Sequence, residues 1–286
     1  MKPSNNCALS IITINRNNEL GLKKTIQSVL TQSNVNNQIE YVIIDGNSTD
    51  NSVDVIKREL YSSTALFPIA WISEPDTGIY NAMNKGIKKA SGDYCLFLNS
   101  GDTLISNDII SVLLDNIQSD EDFYFSDYYF NKNGTNKLVS LPDKLNVSYF
   151  LTNTINHQNT LIKRNLFSKI GLYDESYKLL ADWDFYIKAH LKYNCSFEKI
   201  SHIISNYDSS GISSTAVHTN LYNTERKMLI EKNFNKDTNI INYYINLEEE
   251  YKKSIWFEIK TKWGISSFLL FCMKTYRFFI RRIRRK

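Results

Sequence analysis

Cysteine is scarce in this chain. There are four in 286 residues, Cys7, Cys95, Cys195 and Cys272, and none forms a C-x-x-C pair. That usage argues against structural zinc and fits a reducing compartment. Long apolar runs are missing as well. The first run, Ala8 to Ile14, is short and ends in Asn15-Arg16-Asn17-Asn18, so no signal peptide is expected. The run Trp263 to Met273 is too short to span a bilayer. Nor is there a glycine-rich basic loop after the first apolar run, which a nucleotidyltransferase would want. Positive charge has little surplus outside the tail. The net charge is +4, yet Lys274, Arg277, Arg281, Arg282, Arg284, Arg285 and Lys286 put seven positive charges in the last thirteen residues. The remainder is mildly acidic, so no nucleic-acid partner is expected.

What is present is an alternation of strands and helices. With 42% hydrophobic residues, the length suits one large domain, or one domain with an appendage. Leu9–Ile14, Glu40–Ile44, Phe67–Ile72 and Tyr94–Leu98 read as strands, apolar and short. Between them, Leu22 to Gln32, a segment carrying Val53, Val55 and Ile56, and Tyr80 to Lys89 read as helices. This spacing predicts a parallel sheet with right-handed crossovers. Polar clusters with a carboxylate follow three of the strands, at Asp45, Asp76 and Asp102. Ligands bind at the carboxyl ends of such strands. The turn Asn99-Ser100-Gly101-Asp102 offers hard oxygen ligands suited to Mn²⁺ or Mg²⁺ beside a phosphate. Further on, an Asn107-capped helix, a strand from Phe123 to Phe130, a return strand from Lys137 to Leu141 and an irregular stretch over 142–156 are expected.

The series SIITINRN, YVIIDGNSTDNS and SEPDTGIYNAMNKGIKKASGDYCLFLNSGD resembles the nucleotide-sugar half of family 2 glycosyltransferases of the GT-A fold, notably those of bacterial surface polysaccharide synthesis such as O-antigen and capsule. The resemblance covers roughly residues 8 to 213. It implies an α/β fold, a Rossmann-like mixed sheet flanked by helices, with a C-terminal helical appendage. It divides the chain into a catalytic domain over 1–215, with a nucleotide-sugar half (1–105) and an acceptor half (106–215), and a helical region over 216–286. It implies UDP-sugar binding by Thr13, Asn15, Asp45, Asp76, Lys85 and Asn99, with Asp45 reading the uracil. The family's metal motif is usually Asp-x-Asp. Here only Asp102 keeps an acid, and the resemblance assigns it the cation.

His157-Gln158 resembles a His-Gln pair of the acceptor half, and Ser210-Gly211-Ile212-Ser213 resembles a segment that closes over the diphosphate. His157, Gln158 and Ser213 are therefore acceptor- and diphosphate-side candidates. In Ala181-Asp182-Trp183-Asp184 the family commonly carries Glu-Asp, the Asp being the general base. Asp182 inherits that role, while Asp184 reads as an acid favoured by the helix dipole. The implied reaction is an inverting transfer from a UDP-sugar to a hydroxyl of a lipid-linked saccharide. From 254 onward, aromatics and one basic helix face suit an interfacial helix on an anionic membrane, which implies a cytoplasmic protein peripheral on the inner face. Two alternatives stay open: a nucleotidyltransferase on a similar sheet, and a membrane-bound nucleotide-sugar binding protein without catalysis, kept alive by Asn99 and Ala181.

Overall fold

A computed structural model describes residues 7–35, 38–117, 119–132, 135–208 and 219–234. The chain divides into two units, Met1–Asn233 and Phe234–Lys286. The two sheets belong to the first unit. Ser210–Ser213 and the basic tail lie outside the described residues.

The body is a mixed α/β domain. Its main sheet has seven strands: β1 (Leu9–Asn15), β2 (Ile39–Asp45), β3 (Ile69–Ser73), β4 (Tyr94–Phe97), β6 (Phe123–Phe125), β9 (Thr160–Lys163) and β10 (Phe197–Lys199). Their order is β10-β6-β9-β4-β1-β2-β3. β4, β1, β2 and β3 run parallel, and β9 is antiparallel to both β4 and β6. All seven residues of β1 are buried, as expected of a central strand covered on both faces. Helices α1 (Glu19–Leu30) and α2 (Ser52–Tyr61) bring Leu22, Ile26, Val29, Val55 and Ile56 into one core with Leu9, Ile11, Tyr41 and Ile43. Asn18 caps α1, its Oδ1 accepting from Gly21 N. On the other side lies α3 (Ile79–Lys89), packed so closely that a Cβ on Gly86 would come 2.4 Å from Ile12 Cγ2. Around Phe97 of β4 lies an aromatic cluster, where Phe97, Phe167, Tyr173 and Phe185 meet edge-on or stacked.

A second sheet orders β5 (Thr103–Leu104), β11 (Ser205–Asp208), β7 (Tyr128–Lys132) and β8 (Thr135–Val139) as β5-β11-β7-β8. Here the sequence expectation of one strand from Phe123 to Phe130 is corrected. The chain leaves the main sheet after Phe125 and enters the second at Tyr128. Asp127 makes the break, its Oδ1 accepting from Leu141 N at 2.8 Å and pairing with Lys199 at 2.9 Å. The stretch 142–156 is not wholly irregular either. It holds α5 (Val147–Thr152), which Asn146 caps through Tyr149 N. The remaining helices are α4 (Ile109–Asn116), α6 (Leu166–Lys169), α7 (Ala181–Tyr193) and α8 (Thr219–Phe234). Asp108 rather than Asn107 stands at the N-cap of α4.

Candidate active site

Sheet register builds the first part of the site. Asn15 pairs across from Asp45, and Asp45 from Ser73, so three polar side chains stand in a row at the carboxyl ends of β1, β2 and β3. Asp45 is fully buried. Its Oδ1 accepts from Asn15 Nδ2 at 2.8 Å and Ser48 Oγ at 2.6 Å; its Oδ2 accepts from Ser48 N at 3.0 Å and Ser73 Oγ at 2.6 Å. Burial pushes this carboxyl up, but the donors from Ser48, Ser73 and Asn15 outweigh it and hold it below the usual range. A carboxylate has about four acceptor positions, and all are filled. Asn15 spends its amide hydrogens on Asp45 and Ser48. Its Oδ1 is buried and has no partner among the described residues.

Asp76 closes over this row. A Cβ on Gly46 would sit 2.1 Å from Asp76 Oδ2, so any larger residue would push the Asp76 side chain aside. Asp76 Oδ1 accepts from Gly78 N at 3.2 Å and faces exposed Arg16 at 3.4 Å. Lys85 holds the same loop from α3, with Nζ 2.6 Å from Pro75 O and 2.9 Å from Glu74. Lys178 donates to Thr77 O at 3.3 Å.

At the end of β4 the chain turns through Gly101, whose φ of 113° is left-handed territory that favours glycine. Asp102 is turned inward. Its Oδ1 accepts from Asp208 N at 2.9 Å and its Oδ2 from Asn99 N at 3.0 Å, with the Gln158 side chain as a further donor. These N–H groups occupy positions a cation would need. Among the described residues no three His, Cys, Asp or Glu side chains gather closely enough to hold a metal ion. With three of about four acceptor positions taken from within and 2% exposure, Asp102 has little left to give the Mn²⁺ or Mg²⁺ expected there. What its contacts do is tie β4, β11 and the turn at Gln158 together.

Burial raises the Asp102 carboxyl to about 6, against the opposing donors. In the unfolded chain the value is about 3.9. The folded state thus binds this proton first as pH falls, and acidification through that window favours folding. In EDTA, urea unfolding of the wild type should gain about 1 kcal/mol between pH 7 and pH 5 relative to Asp102→Asn. Parallel pH dependences would show that Asp102 does not titrate as a buried acid.

The second half of the site comes from the turn before Thr160 and from α7. His157–Asn159 form a short 3-10 turn, held by Asn156 Oδ1 accepting from Gln158 N. It lays His157 between two groups. Nε2 is 3.1 Å from Asn99 Nδ2, and Nδ1 is 3.1 Å from Asp182 Oδ2. Asp182 Oδ1 also accepts from Trp183 N at 2.9 Å and lies 3.0 Å from the Tyr80 hydroxyl, whose one hydrogen is shared with Leu179 O at 2.7 Å. On Oδ2, His157 takes one of two acceptor positions, and the side chain keeps 12% exposure. One position, on Oδ2, remains. Asp184 is different. It is 1% exposed, pairs with Lys188 at 2.5 Å and accepts from Asn233 at 2.7 Å, all within the protein.

Helix α8 braces this helix start. Glu225 is 4% exposed, and its carboxylate accepts from the backbone N–H of Lys178, Leu179 and Leu180, just before α7. Lys232 adds an ion pair to Asp174 at 2.6 Å.

The structure thus brings Asn15, Asp45, Asp76, Lys85, Asn99, Asp102, His157, Gln158 and Asp182 to one end of the sheet, in two linked groups. Thr13 is not among them. It is fully buried two residues before the strand end, where its hydroxyl accepts from Tyr41 at 3.0 Å. Ser213 lies outside the described residues. Sequence reasoning missed Ser48, Ser73, Tyr80 and Glu225 as site-building residues. Tyr80 and Asn84 left a signal: they are one turn apart on α3, polar groups on a face that otherwise buries Met83 and Ile87.

Residues 10–178 match the family profile described as Glycosyl transferase family 2. An uncharacterised glycosyltransferase of Mycobacterium tuberculosis is 32% identical over 232 residues, 77% of this chain and 82% of the relative. A PGL/p-HBAD biosynthesis glycosyltransferase of Mycobacterium bovis is 29% identical over 186 residues, 62% of this chain and 69% of the relative. Among solved structures, S. aureus TarS 1-349 in complex with UDP-GlcNAc superposes with a TM-score of 0.62 at 17% identity, covering 83% of this chain and 70% of the other. The mannosyltransferase PcManGT from Pyrobaculum calidifontis, in complex with GDP-Man and Mn²⁺, gives 0.60 at 10% identity, covering 94% and 79%. At such identities the structural likeness speaks for the fold, which is that of GT-A glycosyltransferases.

Proposed function

The chain belongs to glycosyl transferase family 2, and from that premise we propose that it moves a sugar from a UDP-sugar to a hydroxyl of a lipid-linked saccharide, with inversion, in bacterial surface polysaccharide synthesis. The observation that carries the reaction is the open acceptor position on Asp182 Oδ2, at the sheet end where the donor-side loops converge. Asp182 Oδ2 takes the proton of the acceptor hydroxyl as that oxygen bonds to the anomeric carbon. The bond from this carbon to the diphosphate breaks, and UDP leaves with the electron pair. One displacement from the opposite face inverts the configuration. Asn15, Asp45, Asp76, Lys85 and Asn99 are the nucleotide-side residues in this reading. Arg16 and Lys178 bring positive charge to the loop at Asp76 and Thr77, on the side where the diphosphate would lie. UDP is the nucleotide of this reading because Asn15 Oδ1 is an open acceptor at the strand ends, suited to the N3–H of uracil; structural neighbours are solved with UDP-GlcNAc and with GDP-Man. No step is routed through a cation, since three donors from within and near-complete burial take up most of Asp102.

Proton NMR of the product tests the inversion. The new glycosidic bond should have the anomeric configuration opposite to that of the donor, and retention would exclude a single displacement at Asp182.

The lipid-linked acceptor and the location at the inner membrane face rest on the aromatic, basic tail, which lies outside the described residues. Among the described residues no helix is long and apolar enough to cross a membrane. Each basic residue near an anionic surface contributes about 1 kcal/mol. A chain lacking residues 263–286 should therefore no longer float with anionic vesicles, and high salt should partly release the full chain. Undiminished flotation of the truncated chain would remove the tail from this role.

A further inference from the structure

The contact between Asn99, His157 and Asp182 has a directional chemistry. The Asn99 amide is placed with its Nδ2 3.1 Å from His157 Nε2 and its Oδ1 buried without a partner among the described residues; in that orientation the nitrogen donates and Nε2 is the acceptor. The ring hydrogen of the neutral imidazole then sits on Nδ1, which donates to Asp182 Oδ2 at 3.1 Å. Phe97 packs edge-on against the ring, with centroids 6.3 Å apart, and the 3-10 turn fixes its backbone. Nε2 is already occupied, so His157 has no lone pair left for an acceptor hydroxyl. Its outlet is Asp182.

We propose that His157 is a positioning residue for the base: Asn99 selects its Nδ1–H tautomer, and that hydrogen fixes Asp182 Oδ2 so that the one remaining lone pair faces the acceptor hydroxyl. This rests on the reading of Asp182 as the base. It also gives a reason for an amide at position 99, where the family motif would place an acid. A carboxylate there would accept a hydrogen from Nε2. It would leave His157 either as the wrong tautomer or as an imidazolium between two carboxylates, and the imidazolium would weaken Asp182 as a proton acceptor. Asn99 thus couples the donor-side end of β4 to the base on α7, through one ring.

Two amide substitutions separate the two ends of that ring. Asn at 157 places a donor near the former Nδ1 and keeps the contact to Asp182. Gln reaches toward the former Nε2 and keeps the contact to Asn99 instead. His157→Gln should lower kcat roughly 10- to 100-fold, with KM for the UDP-sugar and Kd for UDP within about 2-fold of wild type. His157→Asn should lose at least 5-fold less. Asn99→Asp should lower kcat in the same range as His157→Gln. Equal losses in the two His157 variants, or a loss seen in UDP affinity rather than kcat, would overturn the proposal. A second readout needs no turnover. Nitrogen-15 NMR of the neutral His157 ring, assigned with His157→Gln, should show the Nδ1–H tautomer. The Nε2–H tautomer would overturn the wiring. A chain with the expected tautomer but no UDP-sugar turnover would instead fail the parent reading of the reaction.

Discussion

Asp182→Asn should leave UDP binding near the wild-type value and cut turnover by about 10²-fold or more. Asparagine keeps the size of the side chain. It can still accept from Trp183 N or Tyr80 through its one oxygen, so α7 should start in the same place. What it lacks is a second oxygen able to take a proton. Its NH₂ would also face His157 Nδ1–H, donor against donor, which loosens the ring. None of the donor-row hydrogen bonds at Asp45 involves Asp182, so the nucleotide side should not feel the change. Calorimetry with UDP alongside steady-state turnover separates the two effects. Near-normal turnover with normal UDP affinity would mean that another group takes the proton.

Asp45→Ala should be the costliest change on the nucleotide side. It strips the common acceptor from Asn15, Ser48 and Ser73 in a fully buried place. Buried donors left without partners cost on the order of 1–3 kcal/mol each where nothing relaxes, and about 3 kcal/mol in total is expected after the serines find other partners. UDP affinity should fall at least 10-fold, because the ends of β1, β2 and β3 lose their alignment. The same row bears on which base is read. All four acceptor positions of Asp45 are filled from within, while Asn15 Oδ1 is buried and unpartnered among the described residues. With Asp45 filled, Asn15 Oδ1 is the acceptor left in this row for the N3–H of uracil, a donor that adenine does not present, and Asp45 acts on the base only by holding Asn15. The wild type should bind UDP well ahead of ADP. Equal affinities would remove Asn15 Oδ1 from base recognition, whatever the variant does to stability.

Much of the donor side was legible because buried parallel strands announce themselves. β1, β2 and β4 are short apolar runs, and each ends in a polar turn where the sheet needs to stop. The acids at those ends could be named from the sequence. Their partners could not, because Ser48, Ser73 and Asn15 meet Asp45 only through the register of three strands. The break between β6 and β7 was hidden for a related reason. Phe123 to Phe130 stays aromatic while the chain changes sheets, and only the long-range partners of Asp127, Leu141 and Lys199, reveal the corner. Asp182 was picked out by resemblance. Its hydrogen bonds to Tyr80 and His157 span 102 and 25 residues of sequence, beyond any local pattern. Glu225 was hidden in a region that read only as helical, and its partners are backbone N–H groups, which carry no sequence signature. Asp102 shows the limit of motif transfer. The turn residues matched a cation motif in part, but burial and three donors gave the carboxylate an internal duty.

The most direct measurement is UDP release by the full chain, with a panel of UDP-sugars and a saccharide bearing free hydroxyls, beside Asp182→Asn. UDP should be released from at least one UDP-sugar, faster with the acceptor than without it, and the variant should lose most of that release while still binding UDP. A wild type that binds UDP yet releases none from any UDP-sugar in the panel would contradict the account, leaving a nucleotide-sugar binding protein without catalysis.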